Sequence, residues 1–289
     1  MTTRSPASST RSTMGTKTPV VAAIPNYNMG HNLNRLLPEV LAQGYDAVYV
    51  LDDASTDDSA DVVRQFGSDV KFVRSPRNQG AGANRNQIID CVDDKTLIHF
   101  VDADMELRTD RIPDTAREVF ARYEHRGVGM IGGLVCRHDG TQEPHNYGAV
   151  FSAWGGLTSG LPLMIDRLRD RPRLAAAAQR IAAPLMKEWP DVLATPRPTP
   201  AYWLHEGNML VDSGVLRSLG GYDPDLRCHE AQDLAIRMEK RGIGRQFDPD
   251  IKVVHLHIDV RGKNRNRWAN HAVRQLIRKH GVMRWLCDR

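Results

Sequence analysis

Two carboxylates stand one residue apart at the end of an apolar run, in Leu97-Ile98-His99-Phe100-Val101-Asp102-Ala103-Asp104. Side chains on a strand alternate, so residues two apart point the same way. If the strand geometry holds to its end, Asp102 and Asp104 converge. Two convergent carboxylates can hold a hard divalent cation, which keeps waters and binds substrate phosphates. Such a triplet also occurs in solvated turns. Here it closes the fourth apolar run of an alternating strand–helix series, and the earlier runs also end in polar loops.

Four further stretches carry polar chemistry. Asp52-Asp53-Ala54-Ser55-Thr56-Asp57 follows a buried run. Asp53 there can accept from a base N–H or ribose hydroxyls, or it belongs with Ser55 and Asp57 to a helix start whose dipole favours acids. Arg77-Asn78-Gln79-Gly80-Ala81-Gly82-Ala83-Asn84-Arg85-Asn86 precedes a helix. With Arg77, Asn84 and Arg85 it can receive an anionic group at the helix N-terminus, or it is a capped loop. It is not a dinucleotide fingerprint, and no Walker motif occurs. Glu230 and Asp233, three apart, share a helix face with Arg237 four further on. One of them is a general base, or Asp233 and Arg237 form a surface pair worth little. His255 and His257 end another β-rich run, as metal or phosphate contacts or as structural residues.

The elements that position these residues follow from periodicity. Strands are expected at Pro19–Ile24, Asp46–Leu51, Val70–Val73 and Leu97–Val101. Leu33, Leu36, Leu37, Val40 and Leu41 mark a helix interrupted by Pro38, and a further helix runs from about Ala83 to Val92. Alternation of this kind predicts a mostly parallel sheet flanked by helices, with ligands at the carboxyl ends of the strands. Further on, Arg111–Arg126 reads as a helix and Val128–Arg137 as a strand interrupted by Gly132-Gly133. Asp166–Glu188 and 229–242 read as helices, Pro190–Pro200 as a loop, and a last helix starts near Asn266.

Composition narrows the class. The 289 residues carry a net charge of +4, unevenly spread: +3 over residues 1–18, +7 over 262–289, and −6 between. An acidic body argues against a nucleic-acid binder. Residues 1–18 read as a disordered tail without a secretory apolar region, and no apolar run reaches membrane-spanning length. Cys91, Cys136, Cys228 and Cys287 are far apart and read as thiols of a cytoplasmic protein. In the last helix Arg267, His271, Arg274 and Arg278 lie opposite Ala269, Ala272, Val273, Leu276 and Ile277, and Trp285 follows. Such a basic amphipathic extension either makes peripheral contact with an anionic membrane or has a solvated face.

Together these residues resemble family 2 glycosyltransferases of the GT-A fold, over about residues 19–260. The resemblance rests on Pro25-x-Tyr27-Asn28, then Asp52-Asp53-x-Ser55-x-Asp57, the Arg77–Asn86 loop and Asp102-x-Asp104. Gly220-Gly221-Tyr222-Asp223, then Glu230-x-x-Asp233-Leu234-x-x-Arg237 and His255, add to it. It implies a GT-A domain over 19–261 with a helical extension over 262–289. It implies a nucleotide-sugar donor, commonly a UDP-sugar, an acceptor hydroxyl and inversion, with Mn²⁺ or Mg²⁺ at Asp104. Pro25, Asn26 and Tyr27 would stand at the base pocket, Asp53 at the base, Asp102 at the ribose or metal, and His255 at metal or phosphate. The family's base position is Ala231 here, so the resemblance leaves Glu230 and Asp233 as the candidate bases. A nucleotidyltransferase on a related sheet and a non-catalytic nucleotide-sugar-binding relative are the alternatives.

Overall fold

The structure, a computed structural model, describes residues 17–256 and 265–287. His257, most of the N-terminal tail and residues 288–289 lie outside the described residues. The chain opens with β1 (Val20–Asn26), α1 (Gly30–Leu41), β2 (Ala47–Asp52), α2 (Ser59–Arg64), β3 (Val70–Arg74), α3 (Ala81–Arg85) and β4 (Leu97–Val101). β1 pairs in parallel with both β2 and β4, and β2 with β3. Val20–Ile24 and Leu97–Val101 are buried throughout, as strands covered on both faces must be. α1 runs unbroken through Pro38 and buries Leu33, Leu36, Leu37 and Val40.

Beyond β4 the sheet changes direction. It continues through β5 (Met105–Leu107), α4 (Ile112–Tyr123), β6 (Val128–Cys136) and the short β7 (Tyr147–Gly148). Then come α5 (Ala153–Thr158), α6 (Leu161–Asp166), α7 (Pro172–Ala182), β8 (Thr199–Pro200), β9 (Trp203–Leu204), β10 (Asn208–Asp212) and α8 (Ser213–Ser218). Last are α9 (Glu230–Glu239), β11 (Gly244–His255), α10 (Arg265–His280) and α11 (Val282–Cys287). The main sheet has the order β3-β2-β1-β4-β10-β6-β11-β5, with β8 on β11, while β7 and β9 form a separate pair. β10 runs antiparallel to both β4 and β6. None of the described helices is long and apolar enough to cross a membrane.

Several expectations change. The helix expected over Asp166–Glu188 is in pieces, because Pro172 starts a new helix at Arg171-Pro172 instead of continuing the old one. Gly132-Gly133 does not interrupt β6. These glycines make room: a Cβ on Gly133 would lie 2.4 Å from Asn208 Nδ2. The buried Asn208 side chain donates to the Leu134 and Ile251 carbonyls and meets His99 Nε2 at 2.9 Å. One amide thus ties β10 to β4, β6 and β11. The last long helix, α10, packs on the body. Ala272 and Leu276 of α10 join Phe151, Leu226, Cys228 and Ile236 in one apolar cluster. The apolar side expected to meet a membrane is covered by the protein itself.

His99 is fully buried, with Tyr45 Oη 2.6 Å from its Nδ1. Burial holds its pKa down at about 4, although the hydrogen bond to Asn208 pulls upward. In the unfolded chain the imidazole takes a proton below about pH 6.5. Stability therefore falls as pH drops through this window. Between about pH 6 and pH 4.5 the loss from this group is roughly 2 kcal/mol. Urea unfolding across that range should show a shallower pH dependence in His99→Gln than in the parent chain. An unchanged slope would mean that His99 is protonated in the fold.

Candidate active site

β1 and β4 pair only over Val20–Ala23, while β1 and β2 stay paired to Asn26. Pro25, which has no N–H to offer, thus stands where β1 and β4 have parted. Polar loops from β1, β2 and β4 gather at this edge, the place where open α/β sheets bind ligands.

At the β2 end, Asp52 and Asp53 point to different tasks. Asp52 is fully buried and accepts from Asn26 Nδ2 at 2.8 Å and from the Ser55 N–H. Asp53 accepts the Gln79 N–H at 2.7 Å and the Gly80 N–H at 2.8 Å. Burial pushes the Asp53 pKa up, and the two N–H groups pull it back. Asp53 thereby fixes the loop before α3. Gly80 has φ +96°, a backbone state that favours glycine, and Arg227 holds Asn78 from the other side. Asp57 accepts from the Gly30 N–H and the Ser59 hydroxyl, so it joins two helix starts.

The remaining residues expected at a donor divide. Tyr27 and Arg77 are exposed at the edge, and Pro25 is half-buried. Asn26 and Asn84 are buried and use their amides within the fold: Asn26 on Asp52, Asn84 on the Leu51 carbonyl at 2.6 Å. Arg85 is buried as well. Its Nη2 donates to Asp102 at 2.6 Å, and Nη1 lies 3.8 Å from Glu206. Phe100 and Tyr222 flank the guanidinium at 5.9 and 6.0 Å. Despite burial, the charges of Asp102, Glu206 and Glu230 hold its proton more tightly than usual.

Asp102 and Asp104 have different partners. Asp102 faces Arg85, and Asp104 meets His255 Nε2 at 3.2 Å. The other nitrogen of His255 lies 3.4 Å from Glu143, and the His205 ring lies 6.0 Å away. Although burial opposes it, hydrogen bonds to Asp104 and Glu143 push the His255 pKa up to about 10. Among the described residues no three His, Cys, Asp or Glu side chains are gathered as a metal site on their own. β4 ends at Val101 and Ala103-Asp104 is a turn, so strand alternation does not aim the two carboxylates together. Asp104, with His255 beside it, can give a hard cation one carboxylate while water and phosphate oxygens fill the rest of its shell. His255 would have to lose its proton to act as a ligand there.

Glu230 and Asp233 do not share an environment. Glu230 begins α9 and packs on α3; a Cβ on Gly82 would lie 2.9 Å from its Cγ. Its charge faces Arg85 and Tyr222. Asp233 is fully buried and accepts from Arg237 at 2.8 Å and His280 at 2.7 Å, with Lys279 at 2.9 Å. Burial alone would raise its pKa, yet the hydrogen bonds from His280 and Lys279 and the charges of Arg237 and Lys279 hold it well below the usual carboxylate range. The expected surface pair with Arg237 is therefore a buried one, and Asp233 is bound to the C-terminal helix. Glu143, His205 and Glu206 were not anticipated. His205-Glu206-Gly207-Asn208 stands just before an apolar run, as the other strand-end polar groups stand just after theirs.

The sequence pattern of glycosyl transferase family 2 matches residues 21–141. That matched segment is less than half of the chain. It contains Asp53, Arg85, Asp102 and Asp104, but not α9 or His255. The fold is of the GT-A type. S. aureus TarS 1–349, solved in complex with UDP-GlcNAc, superposes with TM-score 0.53 at 14% identity, over 83% of this chain and 60% of that one. GalNAc-T7, solved with UDP, GalNAc and Mn²⁺, gives TM-score 0.52 at 14% identity, over 83% of this chain and 44% of that one. The chain thus spans less than two thirds of either protein. No curated protein matches the sequence.

Arg85 gives a direct test of this arrangement. Replacing it by Met leaves the surrounding carboxylates without their buried cation. Arg85→Met should lower unfolding stability by about 3–5 kcal/mol, the usual cost of breaking a buried ion pair. A change below about 1 kcal/mol would show that the acids are solvated instead.

Proposed function

We propose that this chain transfers a sugar from a nucleotide-sugar donor, a UDP-sugar, to an acceptor hydroxyl with inversion. What supports this reading is that Asp53 and Asp102 stand at the ends of β2 and β4, with Asp104 just beyond against His255, and that a family 2 pattern matches the segment holding the three acids. TarS bound to UDP-GlcNAc and GalNAc-T7 bound to UDP and Mn²⁺ support the donor class. They lend no support to a nucleotidyltransferase.

In this reading Tyr27 and Pro25 line the base pocket, and Asp53 meets the base while keeping its loop in place. Asp102 meets the ribose or the cation. Mn²⁺ or Mg²⁺, held through Asp104 with His255 beside it, supplies Lewis-acid stabilisation of the departing diphosphate when bound. Arg85 sets the direction of Asp102 and balances the charge between donor and acceptor sides.

Glu230 is the base in this reading. A base needs hydrogen-bond reach to the acceptor hydroxyl, directly or through one water. Ala231 has no such group, and Asp233 is tied to Arg237, Lys279 and His280. Glu230 is one methylene longer than an aspartate and stands on the Arg85 side of α9.

Glu230→Gln should keep donor affinity and lower transfer by about two to four orders of magnitude, the usual worth of general acid–base catalysis. Asp233→Asn should lower thermal stability first. Donor affinity and turnover measured on one preparation separate these outcomes, and near-normal turnover in Glu230→Gln removes it from the mechanism. Ala231 also keeps open a second reading, a non-catalytic nucleotide-sugar binder. Tight donor binding without hydrolysis or transfer over a broad acceptor panel would favour it.

A further inference from the structure

α10 and α11 do more than cover the body. The apolar side of α10 is buried, but α11 turns its own apolar residues outward. Val282, Met283 and Leu286 are 54%, 61% and 61% exposed. Leu286 lies three residues from Met283 and four from Val282, so it neighbours both on the helix surface. α5 lies next to α11: the Trp285 ring packs on Phe151 at 4.8 Å, and a Cβ on Gly156 would sit 3.5 Å from it. On α5, Trp154 and Leu157 are 51% and 75% exposed, again three apart. Two short helices, bridged by Trp285, thus expose five large apolar side chains. Large apolar side chains exposed on adjoining helices mark a contact with something.

The charge around it selects what. Residues 265–287 carry six Arg and Lys and no acidic residue, and 153–187 carry six against two. These two segments hold net +10, although the whole chain is only +4, so the rest is net −6. Lys279 and Arg284 are engaged by Asp223, Asp233 and Glu239. Arg267, Arg274 and Arg278 stay exposed along α10. A second copy seated on this face would bring like charges together, which disfavours it. An anionic lipid surface answers both features: basic side chains meet the headgroups, and Trp and aliphatic residues enter the interface.

We propose that α5 and α11, with the exposed arginines of α10, form a docking surface for an anionic membrane. This differs from an amphipathic α10 lying on lipid, because the apolar side of α10 is already used. It also stands apart from sugar transfer, since none of these side chains belongs to the candidate site.

The test uses the full chain and vesicles of phosphatidylcholine, alone or with about one third phosphatidylglycerol. Co-sedimentation should favour the anionic vesicles and weaken with added salt. Leu157→Glu/Met283→Glu/Leu286→Glu and Arg267→Glu/Arg274→Glu/Arg278→Glu should each lower partitioning at least about tenfold. Melting temperature and circular dichroism should stay near the parent values, since every substituted side chain is exposed. If one variant fails to fold, the other still decides. Equal binding to neutral and anionic vesicles overturns the proposal, as does no binding by the parent chain. A dimer in sedimentation velocity that the same substitutions dissociate would also overturn it, in favour of a self-interface.

Discussion

A single buried guanidinium holds the candidate site together. Arg85 closes α3, yet its charge is shared by Asp102 at the end of β4, Glu206 before β10 and Glu230 at the start of α9. A buried cation is tolerated only when paired in good geometry, and each acid is buried or half-buried beside it. Satisfying that one charge forces three segments far apart in sequence to meet at one edge of the sheet. On the other side of the same edge, Asn208 ties four strands with one amide. Arg85 and Asn208 turn a parallel half-sheet and a mixed half-sheet into one platform.

On that platform carboxylates of the same kind acquire different properties from their partners. Asp52 is a structural acceptor, and Asp53 fixes a glycine loop at the sheet edge. Asp104 stands against an imidazole, and Asp102 against a guanidinium. Asp233 and Glu230 are one helical turn apart, but α10 delivers Lys279 and His280 to the first, while α3 faces the second. The C-terminal helix therefore affects the candidate base indirectly, by anchoring the helix that carries it.

The parallel half of the fold was legible in the sequence because its strands are continuous apolar runs separated by helix-period segments. Asp53, Asp102 and Asp104 were legible for the same reason: they stand where such runs stop. The mixed half was harder. β11 starts at Gly244, but Asp248-Pro249-Asp250 breaks its pattern, so only Ile251–Val254 looked strand-like. β10 is five residues long and follows a polar loop, and its antiparallel pairing depends on partners distant in the chain. Glu143, His205 and Glu206 reach the site by such long-range contacts, which no local spacing encodes. The amphipathic pattern of α10 was visible, but a pattern says only that one side is covered, not whether protein or lipid covers it.

The central claim is that this sheet edge binds a nucleoside diphosphate with the help of a divalent cation at Asp104. Isothermal titration of the full chain with UDP, with and without Mn²⁺, tests it most directly, with Asp104→Asn run in parallel. The account predicts binding that strengthens at least about tenfold with Mn²⁺ in the parent chain, and that loses this gain in Asp104→Asn while the melting temperature without ligand stays close to the parent's. Absence of UDP binding, or an equal Mn²⁺ gain in both proteins, would contradict it.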